Sequence, residues 1–392
     1  MFRRRRARAA IMLQERSRGL TARAGKLTPA QLETLVLPYV GARRKEVIRG
    51  SGVGVDAALI GFGDSLCVFS VDPITGSSTR SGELCIYVAC NDLAAAGAEP
   101  VCVGITLVVP VESGEDYIAG FMAEADRACR QLGVAIAAGH TELVAGLPFP
   151  LVSVAALGTP WERRSCPGPR LGFAAQQQEQ PAEISPGQAL VLTKGAGIEG
   201  AAVLATDFPD RLAVLTSPEV VDRARALFRS LSVLPEARIA FQEGATVMHD
   251  VTEGGVLGAV WELVHPQGLG VEIWEERIPV LPEVAAICRA VGVDPLKLVS
   301  SGSLLVATWR PEELVQALAQ QGIRAAAIGH VTEGSRPSDE SEPVSVAEGE
   351  MASAIEGADQ MWLIAADGSR RPIRPPEADE LWRARSRLQQ PS

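Results

Sequence analysis

The chain has 392 residues, of which 47% are hydrophobic and 21% are charged, a balance typical of a folded globular protein with two or three domains. The longest apolar stretch, 101–111, is about half of the ~20 residues that a membrane-spanning helix needs, which argues against an integral membrane protein. The formal net charge of -10 argues against a broad basic surface for nucleic acid.

The first 25 residues are rich in arginine and predict a disordered basic tail or, alternatively, a weak anion-binding arm. The apolar stretch inside this segment, 9–13, is shorter than the ~7 residues of a signal-peptide core. Seven cysteines are present and none forms a CxxC pair. We interpret them as reduced thiols of a cytoplasmic protein, not as a zinc or disulfide framework.

The first half of the chain is predicted to alternate between helices and buried strands. Thr28 and Pro29 suit the N-cap and first position of a helix, and residues 113–132 carry an apolar stripe at helical spacing that ends before Gly133. In chain order, the pattern predicts a helix at 29–39, a strand at 66–71, a helix at 81–96, a strand at 101–109, a helix at 113–132 and strands at 134–138 and 150–157.

Two polar stretches, one at 161–184 and one from 335, divide the chain and predict exposed linkers. We therefore expect a basic tail at 1–25, an N-terminal domain at 26–160, a linker at 161–184, a C-terminal domain at 185–334, and a linker with a tail at 335–392. Both domains mix strands and helices, so the predicted fold class is α/β or α+β. After Glu380, only Trp382 is expected to pack, and the tail at 383–392 is expected to be polar and mobile.

Five polar motifs lie at predicted strand ends or inside apolar segments. Four of them supply an aspartate, namely Asp56, Asp72, Asp92 and Asp250, and the fifth is Gly139-His140-Thr141-Glu142 at the expected end of a strand. A buried carboxylate is unstable unless it is paired or bound to a metal. Because Mg²⁺ prefers oxygen ligands and shares them with nucleotide phosphates, converging aspartates would hold Mg²⁺ and, through it, a triphosphate.

Each motif taken alone has a plainer structural interpretation. Asp250 alone is more simply a helix cap, Asp92 alone a surface residue, and His140 alone a hydrogen-bonded core histidine. Thr252 and Ser301 are weaker candidates for phosphate or substrate contacts. The functional interpretation depends on the order and combination of the motifs.

A GxGxxG sequence at 195–200 follows the predicted strand at 189–193 and offers an alternative interpretation. Gly195 and Gly197 would let the backbone approach a pyrophosphate, as in a nicotinamide-dependent oxidoreductase, and Lys194 beside them would supply a cation to a phosphate or substrate. A Rossmann unit requires a second strand within ~30 residues, and the sequence predicts none there. The loop remains a candidate for binding phosphate or substrate.

The order of the motifs resembles the aminoimidazole ribonucleotide (AIR) synthase related superfamily, which includes purine-pathway synthetases, selenophosphate synthetase, thiamine-monophosphate kinase and the hydrogenase-maturation protein HypE. The resemblance covers about 26–383, and its nearest branch is HypE-like. The motifs that carry it are GVDAA, VDPITG, NDLAAAGA, GHTE, LTKGAGIEG, HDVTEGGVLGA and SSGSLL.

This resemblance implies a two-domain PurM-like fold whose N-terminal domains pair in a homodimer around a β-barrel-like core, with ATP and Mg²⁺ in a cleft. It makes Asp56, Asp72, Asp92, His140 and Asp250 the candidate metal ligands, and Asp56, Asn91, Lys194, Gly195, Gly197 and Thr252 the candidate nucleotide contacts. His140 and Val55 stand where relatives have acidic residues, so the number of metal ions is open.

The hydrogenase-maturation branch acts on a carbamoylated cysteine at its own C-terminus, whereas the last cysteine here is Cys288. Lys26 is the only lysine before Lys45, so a catalytic lysine on the N-terminal arm has little support. We expect an ATP- and Mg²⁺-dependent enzyme that phosphorylates or activates an oxygen of a small-molecule or carbonyl-type substrate. It would be a cytoplasmic homodimer without nucleic-acid or membrane partners. A nucleotide-binding regulator or scaffold without turnover and an NAD-dependent oxidoreductase are the alternatives.

Overall fold

The computed structural model describes residues 26–74, 79–162, 183–334, 360–376 and 379–390. These residues form two mixed sheets, six-stranded and seven-stranded, with helices packed against them. The expected basic tail at 1–25 and most of both predicted linkers lie outside the described residues. Within the described ranges, none of the helices combines the length and hydropathy that a membrane span requires.

The first sheet belongs to the N-terminal half and has the strand order β1-β2-β3-β6-β4-β5. Only the pair β4–β5 is parallel, and β5 forms one edge of the sheet. Its elements are α1 (Pro29–Leu35), β1 (Val47–Arg49), β2 (Ala58–Phe62), β3 (Ser65–Ile74), α2 (Ser81–Ala95), β4 (Ala98–Pro110), α3 (Gly114–Leu132), β5 (Ala135–Val144) and β6 (Leu151–Pro160).

Helix α2 joins the two halves of the molecule. All of its residues are buried, as expected of a helix that is apolar around its whole circumference. It contacts α3 and β3 of the first half, and the helix Leu234–Gln242 (α7) and the strand Val247–Asp250 (β8) of the second. This central position brings Asp92, near its C-terminal end, towards the C-terminal half.

The second sheet has the strand order β13-β12-β9-β11-β7-β10-β8. Its elements are β7 (Ala189–Thr193), α4 (Ile198–Asp207), α5 (Pro209–Leu215), α6 (Pro218–Ala226), α7 (Leu234–Gln242), β8 (Val247–Asp250), α8 (Gly255–Val264), β9 (Gly270–Trp274), α9 (Pro282–Val291), β10 (Leu304–Thr308), α10 (Pro311–Gln320), β11 (Ala325–Thr332), β12 (Met361–Ile364), β13 (Arg370–Pro372) and α11 (Glu380–Gln389).

The sheet topology argues against a Rossmann site. Strand β7, which precedes the GxGxxG sequence, pairs antiparallel with both of its neighbours, β10 and β11. A dinucleotide-binding unit requires parallel strands joined by a crossover helix. The glycine pattern therefore does not mark a dinucleotide fingerprint.

The expectation of a mobile C-terminal segment is wrong for the described residues. Strand β12 pairs in parallel with β9, and α11 buries Leu381, Ala384 and Leu388 against the body of the C-terminal half. Arg385 of α11 pairs with Asp207, and Arg387 donates to the carbonyl of Gly292 at 2.6 Å. Residues 380–389 thus form a docked helix.

Candidate functional site

A cleft of about 770 Å³ lies where the N-terminal and C-terminal halves meet. Its walls come from the loop 51–57, β3, α2, β8 with the loop after it, and the beginning of α11. The four predicted aspartates all line it, together with Thr252 and Ser301. The structure therefore brings together residues that are as far apart in the sequence as Asp56 and Ser301.

Asp56 is held at the cleft by the loop that precedes β2. Gly54 in this loop has a φ of 71° and lies so close to α8 that a Cβ atom would stand 2.3 Å from the carbonyl oxygen of Glu262. Only glycine satisfies both conditions. The glycine in this motif thus positions Asp56 against the C-terminal half.

A chain of ionic contacts runs from Asp56 into the C-terminal half. His249 Nδ1 lies 2.6 Å from Asp56 Oδ1, and His249 Nε2 lies 3.4 Å from Glu262 Oε2 without hydrogen-bond geometry. Lys26 Nζ donates to the other oxygen of Glu262 at 3.1 Å. Burial alone would raise the pKa of Glu262, but His249 and Lys26 lower it to about 2. These contacts fix the orientation of Asp56.

The remaining aspartates repel one another. Burial, with the charges of Asp56 and Asp72, raises the pKa of Asp250 to about 8. Burial also raises the pKa of Asp92 well above its usual range, with Asp250 and a hydrogen bond to Asp72 adding to the effect. A carboxyl group resists ionisation in such a place unless a cation arrives.

Two carboxylate oxygens of this group are buried and have no hydrogen-bond partner, Asp72 Oδ2 and Asp250 Oδ2. Ligand atoms of Asp56, His249 and Asp250 all lie within 4.8 Å of one another. Unsatisfied buried oxygens are rare in folded proteins, and hard divalent cations prefer oxygen ligands. The donor set therefore fits a magnesium ion.

Two predicted residues of the first half lie away from the cleft. His140 sits in the middle of β5, opposite Thr106 of β4, with an exposed side chain. Asn91 donates to the carbonyl of Leu231 at 2.8 Å and accepts from the N–H of Val233 at 2.8 Å, so its side chain joins α2 to the C-terminal half. Neither side chain contributes to the cleft of this chain.

The GxGxxG loop is also engaged internally. The amine of Lys194 pairs with Glu236 at 2.6 Å and donates to the carbonyls of Ser230 and Ser232. Gly195 and Gly197 have positive φ values and pack tightly, within 3 Å of neighbouring atoms if a Cβ were added. Lys194, Gly195 and Gly197 are therefore packed inside the C-terminal half and do not line the cleft.

Several cleft residues were not predicted from the sequence as site residues. They are Glu199, Glu253, Glu262, Asp379, Trp382 and, against the expectation, Lys26. Asp379 and Trp382 lie in the stretch at 335–392, which the sequence predicts to be a linker and a tail. Glu199 lies inside the GxGxxG sequence, whose glycines drew the functional interpretation. The apolar spacing of Leu381, Ala384 and Leu388 was a signal for a docked helix.

Comparison with known proteins identifies the family to which the two halves of the chain belong. Residues 54–159 match the N-terminal domain of the AIR synthase related proteins, and residues 185–340 match their C-terminal domain. Together these matches span most of the chain, which belongs to the AIR synthase related family, in its HypE-like branch.

The curated relatives and solved structures are distant. A putative hydrogenase expression/formation protein of Methanocaldococcus jannaschii is 24% identical over 72% of this chain and 82% of its own. The carbamoyl dehydratase HypE of Escherichia coli is 27% identical over 71% of this chain and 79% of its own. A crystal structure of HypE in complex with ATP superimposes with a TM-score of 0.57 at 21% identity and covers 92% of this chain and 97% of that chain. The structural likeness establishes the shared PurM-like fold.

Proposed function

We propose that this protein is an ATP- and Mg²⁺-dependent enzyme that phosphorylates an oxygen of a small-molecule or carbonyl-type substrate and so activates it. The observation that carries the proposal is the convergence of Asp56, Asp72, Asp92 and Asp250 in one cleft, with two buried carboxylate oxygens left unpaired. A HypE relative crystallised with ATP and relatives named carbamoyl dehydratase support this reaction class.

The residues that would hold Mg²⁺ are Asp72, Asp92 and Asp250, together with Asp56. The ion, when bound, would neutralise the phosphates and carry the triphosphate into a cleft that is otherwise acidic. His249 would hold Asp56 in place through its contact of 2.6 Å. Catalysis would depend mainly on positioning, because phosphoryl transfer needs little covalent help from the protein.

Lys26 supplies the cationic side chain of the cleft on the N-terminal side. Its amine lies 3.1 Å from Glu262, and although burial opposes the charge, Glu262 and Glu253 raise the pKa of Lys26. The side chain therefore stays protonated, and its pairing with Glu262 offsets part of the acidic charge of the cleft.

The substrate is proposed to be a separate molecule. Among the described residues of the C-terminal half, Cys288 is the one cysteine; it is buried, and burial raises the pKa of its thiol to about 12. A thiol with so high a pKa is a poor nucleophile and carrier. The described C-terminal helix presents Trp382, not a cysteine, to the cleft.

A homodimer is proposed to form through the first sheet. Strand β5 is exposed almost throughout, and three exposed apolar residues lie on β3 and β6 of the same sheet, namely Val71, Leu151 and Leu157. Open sheet edges and apolar faces tend to be covered in native proteins. Free cysteines, several of them buried, are consistent with a cytoplasmic location.

Calorimetric titration and thermal unfolding with ATP, with and without Mg²⁺, and with NAD test the proposed function. ATP with Mg²⁺ should bind and raise the melting temperature, because a ligand of the native state stabilises it. Stabilisation by NAD alone, or no effect of Mg²⁺-ATP, would overturn the proposal. Release of ADP then separates an enzyme from a nucleotide-binding regulator.

A further inference from the structure

The end of the cleft next to the C-terminal helix differs from the aspartate end. It is lined by Glu199 at the first turn of α4, Ser301, Glu253, and Asp379 and Trp382 at the beginning of α11. Asp379 accepts the backbone N–H groups of Gly254, at 2.8 Å, and Leu381, at 2.7 Å, so its charge is used in capping. Glu199 is free for another role.

Glu199 is only 7% exposed, and its Oε2 atom is buried without a hydrogen-bond partner. The hydroxyl and the backbone N–H of Ser301 act on its carboxylate and lower the pKa that burial raises. A buried carboxylate oxygen without a partner costs free energy and is rare in native proteins. Such an oxygen is therefore a candidate for binding a ligand or for a catalytic role. None of the contacts described for the aspartate end involves it.

The backbone holds Glu199 rigidly at this place. The N–H of Gly200 donates to the carbonyl of Val299 at 3.0 Å, and a Cβ on Gly200 would stand 2.4 Å from the side chain of Leu298. The N–H of Gly197 donates to Ser300 Oγ at 2.5 Å. The first turn of α4 is therefore locked against the segment that contains Ser301.

The charges around Glu199 exclude an anionic partner. Both Glu253 and Asp379 act on it electrostatically and add to the effect of burial, which together raise the pKa of Glu199 to about 7. Among the described residues that line the cleft, Lys26 is the one lysine or arginine, and it is paired with Glu262. A carboxylate or phosphate group on the acceptor would meet three carboxyl groups.

We propose that Glu199 is the general base of the reaction and that it receives an uncharged acceptor bearing a proton on oxygen or nitrogen. This inference rests on the proposed function. An uncharged hydroxyl or carboxamide donates its hydrogen to Glu199 Oε2, with Ser301 beside the carboxylate in the same cleft. The acceptor thus lies between Glu199 and the nucleotide held at the aspartate end.

The step balances without an added reagent. An acceptor oxygen forms a bond to the γ-phosphorus of ATP, and the bond from that phosphorus to the bridging oxygen breaks, so that ADP leaves. The proton lost by the acceptor, from the same oxygen in an alcohol or from the adjacent nitrogen in a carboxamide, passes to Glu199. Because its pKa lies near the operating pH, this carboxylate can accept the proton and release it again.

Glu199→Gln keeps the size of the side chain and removes the base. Glu219→Gln makes the same change in the first turn of α6 and serves as the control. Calorimetry measures the binding of Mg²⁺-ATP, and ADP release is followed from pH 5 to 9 with water as the smallest uncharged acceptor. Acetamide and acetate, which match in size and differ in charge, are then added separately as probes.

Glu199→Gln should bind Mg²⁺-ATP like the wild type, within about twofold, and release ADP about 100-fold more slowly or worse, which is a typical contribution of a general base. The rise in rate of the wild type with pH should be lost. Acetamide should change the rate of ADP release more than acetate does.

Failure of the wild type to bind Mg²⁺-ATP would contradict the proposed function. Binding with full turnover by Glu199→Gln, or an effect of acetate equal to or larger than that of acetamide, would contradict only the role of Glu199. A comparable loss in Glu219→Gln would show that the change acts through the fold and would also refute the assignment.

Discussion

At the scale of single residues, Glu199 is expected to reduce the stability of the fold in which it is embedded. Burial, aided by the charges of Glu253 and Asp379, raises its pKa to about 7 in the folded protein, from 4.5 without the fold. When folding raises the pKa of a carboxyl group, the group does not reduce the free energy of unfolding at a pH below its unfolded pKa. The free energy of unfolding then falls as the pH rises through the folded pKa. Buried functional groups commonly lower stability in this way.

Glu199→Gln should therefore be more stable than the wild type at pH 8 and of similar stability near pH 4.5. The gain at pH 8 should be about 3.5 kcal/mol, because folding raises the pKa from 4.5 to about 7 and one unit of pKa corresponds to about 1.4 kcal/mol. Urea unfolding at a series of pH values measures it. A pH-independent difference, or a variant less stable than the wild type at pH 8, would contradict the electrostatic argument.

Asp72 and Asp92 share a hydrogen bond in the buried part of the aspartate end. Asp72→Asn or Asp92→Asn keeps the size of the side chain and removes one ionisable ligand. We expect the Mg²⁺-dependent part of ATP binding to weaken by about tenfold or more, since ~1.4 kcal/mol of lost binding energy suffices for that.

Stability in the absence of ligand should stay the same or rise, because the change removes repulsion between buried carboxyl groups. Calorimetry with and without Mg²⁺ measures the binding, and Asp64→Asn, at an exposed turn, is the matched control. Unaltered Mg²⁺-ATP binding in both variants would show that the metal lies elsewhere.

At the scale of helices and strands, periodicity in the sequence predicts the amphipathic elements well. The helix expected at 113–132 is found as α3, Gly114–Leu132, and it ends at Gly133 with a φ of 72°. The strand expected at 66–71 continues to Ile74, so Asp72 lies inside β3 and not after it. Propensity marks the centre of a strand, whereas pairing with β6 sets its length.

Of the residues predicted for the site, the four aspartates line the cleft, whereas the polar groups that have internal partners lie outside it. Asp56 and Asp250 line the cleft, while Asn91 and Lys194 bond backbone carbonyls that belong to a distant part of the chain. Sequence alone does not reveal such partners, because they are brought together by the packing of the two halves. Glu199 was not predicted for the same reason, because the packing of α4 against the segment at 299–301 places it in the cleft.

Helix α11 is expected to contribute to stability because it is docked. Its Leu388 is 3% exposed, and Arg211 donates to the carbonyl of Leu388 at 2.6 Å. Leu388→Ala should lower the free energy of unfolding by about 2 to 4 kcal/mol through lost burial and a cavity. Arg383→Ala, on the exposed side of the same helix, should change it by less than about 0.5 kcal/mol.

Removing residues 386–392 should lower the melting temperature as well, since it deletes Leu388 and the contacts of Arg387. Differential scanning calorimetry of the truncated chain measures this effect. An unchanged melting temperature would indicate that the helix does not dock in solution.

At the scale of the whole molecule, the two halves have unequal surfaces. The second sheet buries most of its strands, whereas the first sheet leaves β5 and several apolar residues of β3 and β6 exposed. His140 lies on this exposed strand opposite Thr106. A partner that covers the first sheet would bury apolar area, and His140 would then lie at the contact between the two copies.

Leu157 on β6 is 37% exposed and is suited to test this homodimer. Leu157→Asp would place a charge on the apolar face. In a dimer this charge would be buried against the second copy without a partner, so the dimer should dissociate.

Val214→Asp is the control. It introduces the same charge at an 86% exposed position of α5, in the other half of the molecule, and should leave assembly unchanged. Sedimentation equilibrium should give twice the chain mass of 41.4 kDa for the wild type and the control, and the single mass for Leu157→Asp. A wild type of single mass, or a Leu157→Asp variant that remains at twice the mass, would show that this sheet face is not the interface.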